Sequence, residues 1–459
     1  MNADRLAKAL VLITLVWGVL AFGAVYPWAA RTLAVLCTVS GLVATRFGRD
    51  IVRYVGWPVT AAFLLLLASI SMQLVPLPES VIARVSPATV PLLRQIDLAF
   101  AIQGAAHPLS IAPAATRWAA LMAAAFFIFM AGVASLTSRT GSRWLVESLT
   151  LLGGAIALLA IVIRFSGTLK VYGFWQPELS GATPFGPFVN RNHYGGWMVL
   201  ALLPGAAMVL ASLIRPVDGR PSWRDRVLWL GSGEGSRVLL MLLAILLMTA
   251  SVALTLSRSG LSALGFGLLL LALIAAARSR IRAAKLLPVL VVAGLVLVAA
   301  AVNGLGALEQ RYNDAAFEFG YRRGAWADAV SVIERFPATG TGIATYRTAM
   351  LIFQKHNQGT YYAQAHNDYL QVLAEGGALV AVPALLLLAA LVAQILRRFR
   401  ESATGDSAWW VRTGAVVALI AMGLQETVEF SLQMPGTAAL FAALCGIALN
   451  TRRARRPAA

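Results

Sequence analysis

Residues 365–377 read AHNDYLQVLAEGG, and from Ala378 the chain turns into an apolar run that lasts to about residue 396. A helix that crosses a bilayer needs roughly 20 mostly apolar residues, so this junction is where a polar segment enters a membrane. Runs of the same kind recur along the chain, twelve in all, near 8–26, 29–45, 56–75, 116–137, 145–164, 191–214, 238–256, 260–277, 286–302, 378–396, 411–430 and 435–450. Of the 459 residues, 59% are hydrophobic and 13% charged, which leaves too few polar side chains to coat a water-soluble fold. The sequence therefore predicts an all-α membrane protein of about twelve transmembrane helices. It divides into a membrane domain over 1–302, a large helical loop over 303–377 on the outward side before the tenth span, and a second membrane domain with a basic tail over 378–459.

A formal net charge of +18 raises the question of nucleic acid, and the placement of the charges answers it. Alternating the twelve runs with the N-terminus inside puts 24 of the 38 Lys and Arg residues on the inner side and 14 on or near the outer side. Short loops rich in Lys and Arg stay cytoplasmic, and anionic inner-leaflet lipid attracts them. The excess is thus a topology signal, with both termini cytoplasmic and no nucleic acid implied. Cys37 and Cys445 each lie inside an apolar run, which excludes a disulfide framework and a thiolate metal cluster. The first run is followed, after the short VYPWAAR link at 25–31, by a second span, and so is read as a retained anchor.

Three outward segments stand out. The first, about 76–115, holds VPLPES, SPATVP and HPLSIAP, whose prolines favour turns and at most short helices. His107 reads there as an ordinary loop residue. The second, about 165–190, runs into TPFGPFVNRNHYGGW at 183–197. Non-helical chain at membrane depth survives only when packed in protein or lining a wet cavity. Arg191 and His193 fit either a site there or an interfacial pair reaching headgroups.

The third segment is the longest, with six basic and seven acidic side chains between 303 and 377; an anion site in it must come from placement. YRRGAWADAVSVIERFP at 321–337 predicts a helix with Arg322, Trp326, Ala329, Val330 and Ile333 on one face, ended by Pro337. ATGTGIATY follows as a glycine-containing turn, and residues 345–356 predict a second short helix. A helix from Ala365 onward would put His366, Leu370, Leu373 and Gly377 on one face and Asp368, Gln371 and Glu375 on another. His366 would then point toward the protein body near a helix start, where unpaired N–H groups favour anions; a satisfied core histidine has the same pattern.

Arg258 lies in SRSG between two spans, so its guanidinium sits at the outer boundary of the hydrocarbon. An ionisable group at that depth points to function, although capping helix carbonyls or reaching headgroups would also place it there. Arg191, Arg258, Arg322, Arg323 and His366 supply planar forks suited to phosphate oxygens and one titratable nitrogen. No Asp-x-Asp, His-x-x-x-His or Cys-x-x-Cys occurs, so no metal and no cofactor is implied. Glu426 and Glu429, three apart on the eleventh span, read as partners for an arginine and as reserve candidates for a base.

SRSG at 257–260, RRGAW at 322–326, FPATGTGIATY at 336–346 and AHNDYLQVLAEGG at 365–377 resemble the O-antigen ligase and O-antigen polymerase superfamily, most closely from about 190 to 377. The resemblance implies a metal-independent glycosyltransferase of the bacterial inner membrane. Such an enzyme moves a glycan from undecaprenyl diphosphate to an acceptor hydroxyl, with the loop and active site on the periplasmic face. By motif, His366 matches the family's essential histidine, and Arg258 with Arg322 or Arg323 the diphosphate-binding arginines; Arg191 is a further match. The implied partners are the lipid-linked glycan donor, membrane lipid, and an acceptor. The acceptor is lipid A core for a ligase, which is the preferred reading, or a second lipid-linked glycan for a polymerase of O-antigen or exopolysaccharide. A protein-directed oligosaccharyltransferase would suit the same motifs. A transporter of lipid-linked glycan belongs to a different class and predicts midplane charges and repeat symmetry, neither of which the sequence shows.

Overall fold

The computed structural model describes residues 3–168, 170–177, 182–213, 224, 228–229, 231–278, 286, 290, 294, 315–401 and 407–451. The ninth apolar run, much of the inner loops, and the beginning of the large outward loop at 303–314 lie outside the described residues.

Among the described residues every regular element is a helix. The first half holds α1 (Ala3–Leu20), α2 (Pro27–Ala44), α3 (Ile51–Val55), α4 (Trp57–Met72), α5 (Glu79–Val85), α6 (Thr89–Ile96), α7 (Leu98–Gln103), α8 (Pro113–Thr140), α9 (Arg143–Phe165) and α10 (Arg191–Leu213). The second half holds α11 (Gly233–Thr255), α12 (Arg258–Arg278), α13 (Ala315–Arg335), α14 (Tyr346–Phe353), α15 (Asp368–Arg400), α16 (Ser407–Gln425) and α17 (Pro435–Ala448). Eight of these, α2, α8, α9, α10, α11, α12, α15 and α16, are long and apolar enough to cross a membrane. α4 and α17 are apolar but shorter, and α1 carries Asp4, Arg5 and Lys8 in its first half. The chain is thus a multi-pass α-helical membrane protein.

α10 is the hub of the bundle. It packs against α9, α11, α12, α16 and α17, and Trp197, Leu200 and Leu203 along it are fully covered. Lipid offers no hydrophobic drive for helices to associate, so contact relies on close backbone approach. Gly195 and Gly260 provide it where α10 meets α12: a Cβ on Gly195 would lie 3.4 Å from the Gly260 Cα. That approach brings the first turns of the two helices, residues 191–193 and 258–259, side by side. α15 instead turns an apolar surface outward, with Val382, Leu385, Leu388 and Val392 about half exposed, as a lipid-facing helix does.

A second core lies at the end of the bundle where α10 and α12 begin. Ile82, Leu93 and Phe100 from the first outward segment pack with Ala325, Phe336, Tyr346 and Ala374 from the third. The two segments, some two hundred residues apart, form one module. Its short helices α5, α6 and α7 agree with the proline-rich reading of that stretch.

The module is locked to α15 at a backbone crossing. Gly377 breaks the helix with φ 53° and ψ −162°, and residues 337–342 dock into the break. Ala378 and Leu379 donate to the carbonyls of Pro337 and Ala338 at 2.8 and 2.9 Å, and Gly342 donates to that of Glu375 at 2.8 Å. A Cβ on Gly340 would stand 2.2 Å from the Glu375 carbonyl oxygen, which no side chain tolerates. The EGG of the junction and the GTG of the turn are therefore two halves of one contact.

Candidate active site

His366 precedes α15 and does not belong to it. The helix begins at Asp368, capped by the Asn367 side chain, which accepts from the Leu370 N–H at 3.0 Å, as an Asn at the N-cap does. His366 itself takes φ 52°, a left-handed conformation that costs free energy in a residue with a side chain. Its neighbours hold it there. The Ala365 N–H donates to Gln371 Oε1 at 3.0 Å, Trp326 Nε1 donates to the His366 carbonyl at 3.3 Å, and Asn367 Nδ2 donates to the Thr427 carbonyl at 2.9 Å.

The expected faces hold only in part: Leu370 packs against the second core and Gly377 is buried, but Leu373 is exposed, and Gln371 and Glu375, expected on another face, are buried. The polar face turns inward because the module needs its hydrogen bonds: Glu375 accepts from the N–H groups of Ala344 at 2.8 Å and Tyr346 at 2.9 Å, closing the start of α14. Gln371 Nε2 donates to Glu375 Oε1 at 3.1 Å and to Gln433 Oε1 at 3.2 Å, and Gln433 donates to Asp368 Oδ1 at 2.6 Å.

The His366 ring stands 4.8 Å from that of Phe430 and nearly perpendicular to it. His193 also meets Phe430, 4.7 Å away and again edge to face. His366 Nδ1 is covered by protein and meets no hydrogen-bond partner among the described residues. Burial, and then the positive charge of Arg322, push the pKa of His366 down from 6.5 to about 4. The imidazole is neutral at physiological pH, with a lone pair available to a proton.

Arg322, on α13, ion-pairs with the buried carboxylate of Glu429. The same oxygen, Glu429 Oε1, accepts from Asn192 Nδ2 at 2.9 Å and from Ser259 Oγ at 3.3 Å. Four separate elements thus meet at one carboxylate oxygen. Beside it opens a cavity of about 350 Å³, lined by Arg258, Ser259, Ser262, Arg322 and Gln425 with apolar Phe266, Leu424 and Val428. Arg258 and Arg322 share this cavity. Arg323, its neighbour in sequence, is exposed and is not part of this lining. Arg191 is turned elsewhere, into a second cavity that it lines with Arg164 and Lys170.

Glu426 and Glu429 do not share a helical face, because α16 ends at Gln425 and both lie in the turn that follows. Glu429 reaches Arg322, in keeping with its expected role as an arginine's partner, while Glu426 faces Asp368. Burial, and then the charge of Asp368, raise the pKa of Glu426 well above the usual carboxylate range, so it holds a proton at neutral pH. Sequence reasoning missed Phe430, Asn192 and Ser259. The last two flank arginines in NRNHY and SRSG, and their polarity at a membrane boundary was the available signal. Among the described residues, no three His, Cys, Asp or Glu side chains converge as a metal site would require.

Residues 243–385 match the family model described as O-antigen ligase, so the resemblance to that superfamily drawn from the motifs holds over this stretch. The match takes in Arg258, Arg322, Arg323 and His366 and leaves Arg191, Glu426, Glu429 and Phe430 outside it. No curated protein matches the chain.

Proposed function

We propose, given the O-antigen ligase match over residues 243–385, that the protein is a metal-independent glycosyltransferase. It moves a glycan from undecaprenyl diphosphate to an acceptor hydroxyl, with lipid A core as the preferred acceptor. The observation that carries this reading is the pairing of Arg258 and Arg322, from helices far apart in sequence, on one cavity, with a neutral histidine close enough to Arg322 for the guanidinium to depress its pKa.

Chemically, Arg258 and Arg322 hold the diphosphate and neutralise the charge that builds on it as the sugar departs. Electrostatic stabilisation of this kind is usually the largest contribution to such transfers. The acceptor oxygen attacks the anomeric carbon, the bond from that carbon to the phosphate oxygen breaks, and the hydroxyl proton passes to His366. The diphosphate leaves on its lipid, and the anomeric centre is inverted. Glu429 holds Arg322 in position until a more highly charged anion arrives to compete for it. The catalytic residue of this reading is His366, the diphosphate-binding residues Arg258 and Arg322. Residues 303–377 and the site lie on the periplasmic face of the inner membrane, with both termini cytoplasmic.

The test is transfer by the purified protein in detergent from an undecaprenyl-diphosphate-linked glycan, with chelator present. Wild type should transfer and His366→Ala should not; equal rates would sink the assignment of the base. A deletion strain separates the acceptors: unattached surface polysaccharide marks a ligase, and single repeats mark a polymerase.

A further inference from the structure

Three consecutive residues at the start of α10 face different ways. Asn192 reaches Glu429 and His193 meets Phe430, both on the side of the Arg258 and Arg322 cavity. Arg191 lines a separate cavity of about 190 Å³ with Arg164 and Lys170. Its described lining also includes Thr168, Thr183 and Thr255. Arg164 and Lys170, both exposed, bring positive charge to the rim of this hollow, which draws an anion, and an Arg fork with a Lys suits phosphate. The volume is below the roughly 300–1,000 Å³ of a site that swallows a whole small molecule, so it fits a headgroup whose remainder lies outside.

What lies outside is aromatic. The Tyr172 N–H donates to the carbonyl of Gly186, in the cavity wall, at 3.2 Å, and the turn it belongs to carries Phe174 and Trp175. Phe22 sits against Tyr172, Trp175 and Tyr26 at ring-centre distances of 5.3 to 5.6 Å, and Trp175 Nε1 donates to the Tyr26 hydroxyl at 3.0 Å. Phe174 is 71% and Trp28 52% exposed. Phe22 and Tyr172 both take positive φ, 59° and 56°, so the backbone accepts strain at the two residues whose rings meet; strain of this kind gathers at binding sites. Trp and Tyr at a membrane interface serve as anchors, but anchors do not need interlocked rings on a strained turn beside a basic hollow.

We propose that this surface binds a phosphorylated glycolipid: the cations hold a phosphate on a sugar, and the rings carry the sugar's C–H face, which meets the electron-rich face of an aromatic. Resting on the glycosyltransferase reading, it is the acceptor site, and the start of α10 separates it from the donor cavity.

The experiment follows tryptophan fluorescence of the full-length purified protein during titration with three probes. These are a lipopolysaccharide truncated to its phosphorylated core, the same molecule dephosphorylated, and phosphatidylglycerol micelles. The phosphorylated core should bind at least tenfold tighter than either of the others. The double variant Arg164→Ala/Lys170→Ala, at two exposed positions, should lose that tenfold preference. Phe174→Ala should weaken both glycolipids alike. Equal binding of phosphorylated and dephosphorylated core, phosphatidylglycerol binding as tightly as the core, or wild-type affinity in the double variant would each overturn the proposal. Binding as expected with no transfer under any condition would instead count against the enzyme reading and leave the site standing. In the transfer assay, the double variant should raise KM for acceptor and leave KM for donor unchanged.

Discussion

Arg322 donates to the buried carboxylate of Glu429, 107 residues further along the chain, and the pair is unequal: Arg322 keeps 16% of its side-chain surface open, Glu429 none. The arginine borders the cavity, whereas the carboxylate depends wholly on its protein partners. This asymmetry makes the two sides of the pair respond differently to change.

Glu429→Gln preserves an oxygen that can accept from Arg322, Asn192 and Ser259 but removes the charge. Arg322 is then held less tightly, and inorganic pyrophosphate should bind on the order of tenfold more strongly, the gap between a charged and a neutral hydrogen bond. Arg322→Ala removes the cation and leaves the acid buried, which should lower stability by roughly 3 kcal/mol or more. Calorimetric titration with pyrophosphate and thermal unfolding in detergent measure the two effects. Unchanged pyrophosphate affinity in the glutamine variant would mean that Glu429 and the anion do not compete.

With its pKa near 4, His366 should stay an active base across pH 5 to 8, and the rate should show no acid limb from it until pH approaches 4. Removing the second of its two perturbing causes, in Arg322→Gln, moves the pKa toward 6.5 and the limb upward. For folding, a depressed histidine pKa means that the unfolded chain takes up the proton first as pH falls, so stability declines from pH 6.5 down to about 4 and is constant below. Rate profiles of both proteins, using a donor concentration well above KM, check this; identical acid limbs would separate Arg322 from the histidine.

Arg258→Lys should reduce transfer by at least tenfold although the charge is kept, because a compact ammonium cannot make the forked contact of a guanidinium with two phosphate oxygens. The loss should appear in KM for the donor as well as in kcat. Wild-type kinetics for the lysine variant would leave a point charge as sufficient.

Gly377→Ala sets a Cβ 2.5 Å from the Gly340 nitrogen and 2.6 Å from the Ala338 carbonyl carbon, at a φ and ψ that only glycine adopts readily. Backbone strain of this type costs about 1–3 kcal/mol, and the clash adds to it. The melting temperature should fall, and activity with it, because the crossing fixes α13 and Arg322 relative to His366. Proteolysis of the outward module before the helices would reveal the same undocking; a variant as stable as wild type would show that the crossing is not needed.

Much of the fold was legible because hydrophobicity along a chain is a one-dimensional property. The apolar runs marked eight helices able to cross a membrane, and Pro337 marked the end of α13, whereas the break at Gly377 in α15 was not read from the sequence, which placed that glycine on a continuous helical face. The candidate site was legible only as residue types. The face assignment around His366 went wrong at Leu373, Gln371 and Glu375 because it rested on apolar periodicity, and the polar side chains of that segment have partners to satisfy inside the module.

Local composition and local backbone preference are enough to put this chain in a membrane, to mark most of its helices, and to single out the polar and basic side chains at their boundaries. Three-dimensional packing was needed to turn Arg322 and not Arg323 toward the cavity, to give Arg191 to a different hollow, and to set Phe430 against two histidines. These are relations among residues from separate helices and the turns between them. They are set by close backbone packing, as at Gly195 with Gly260 and Gly340 with Gly377, which no single stretch of sequence contains.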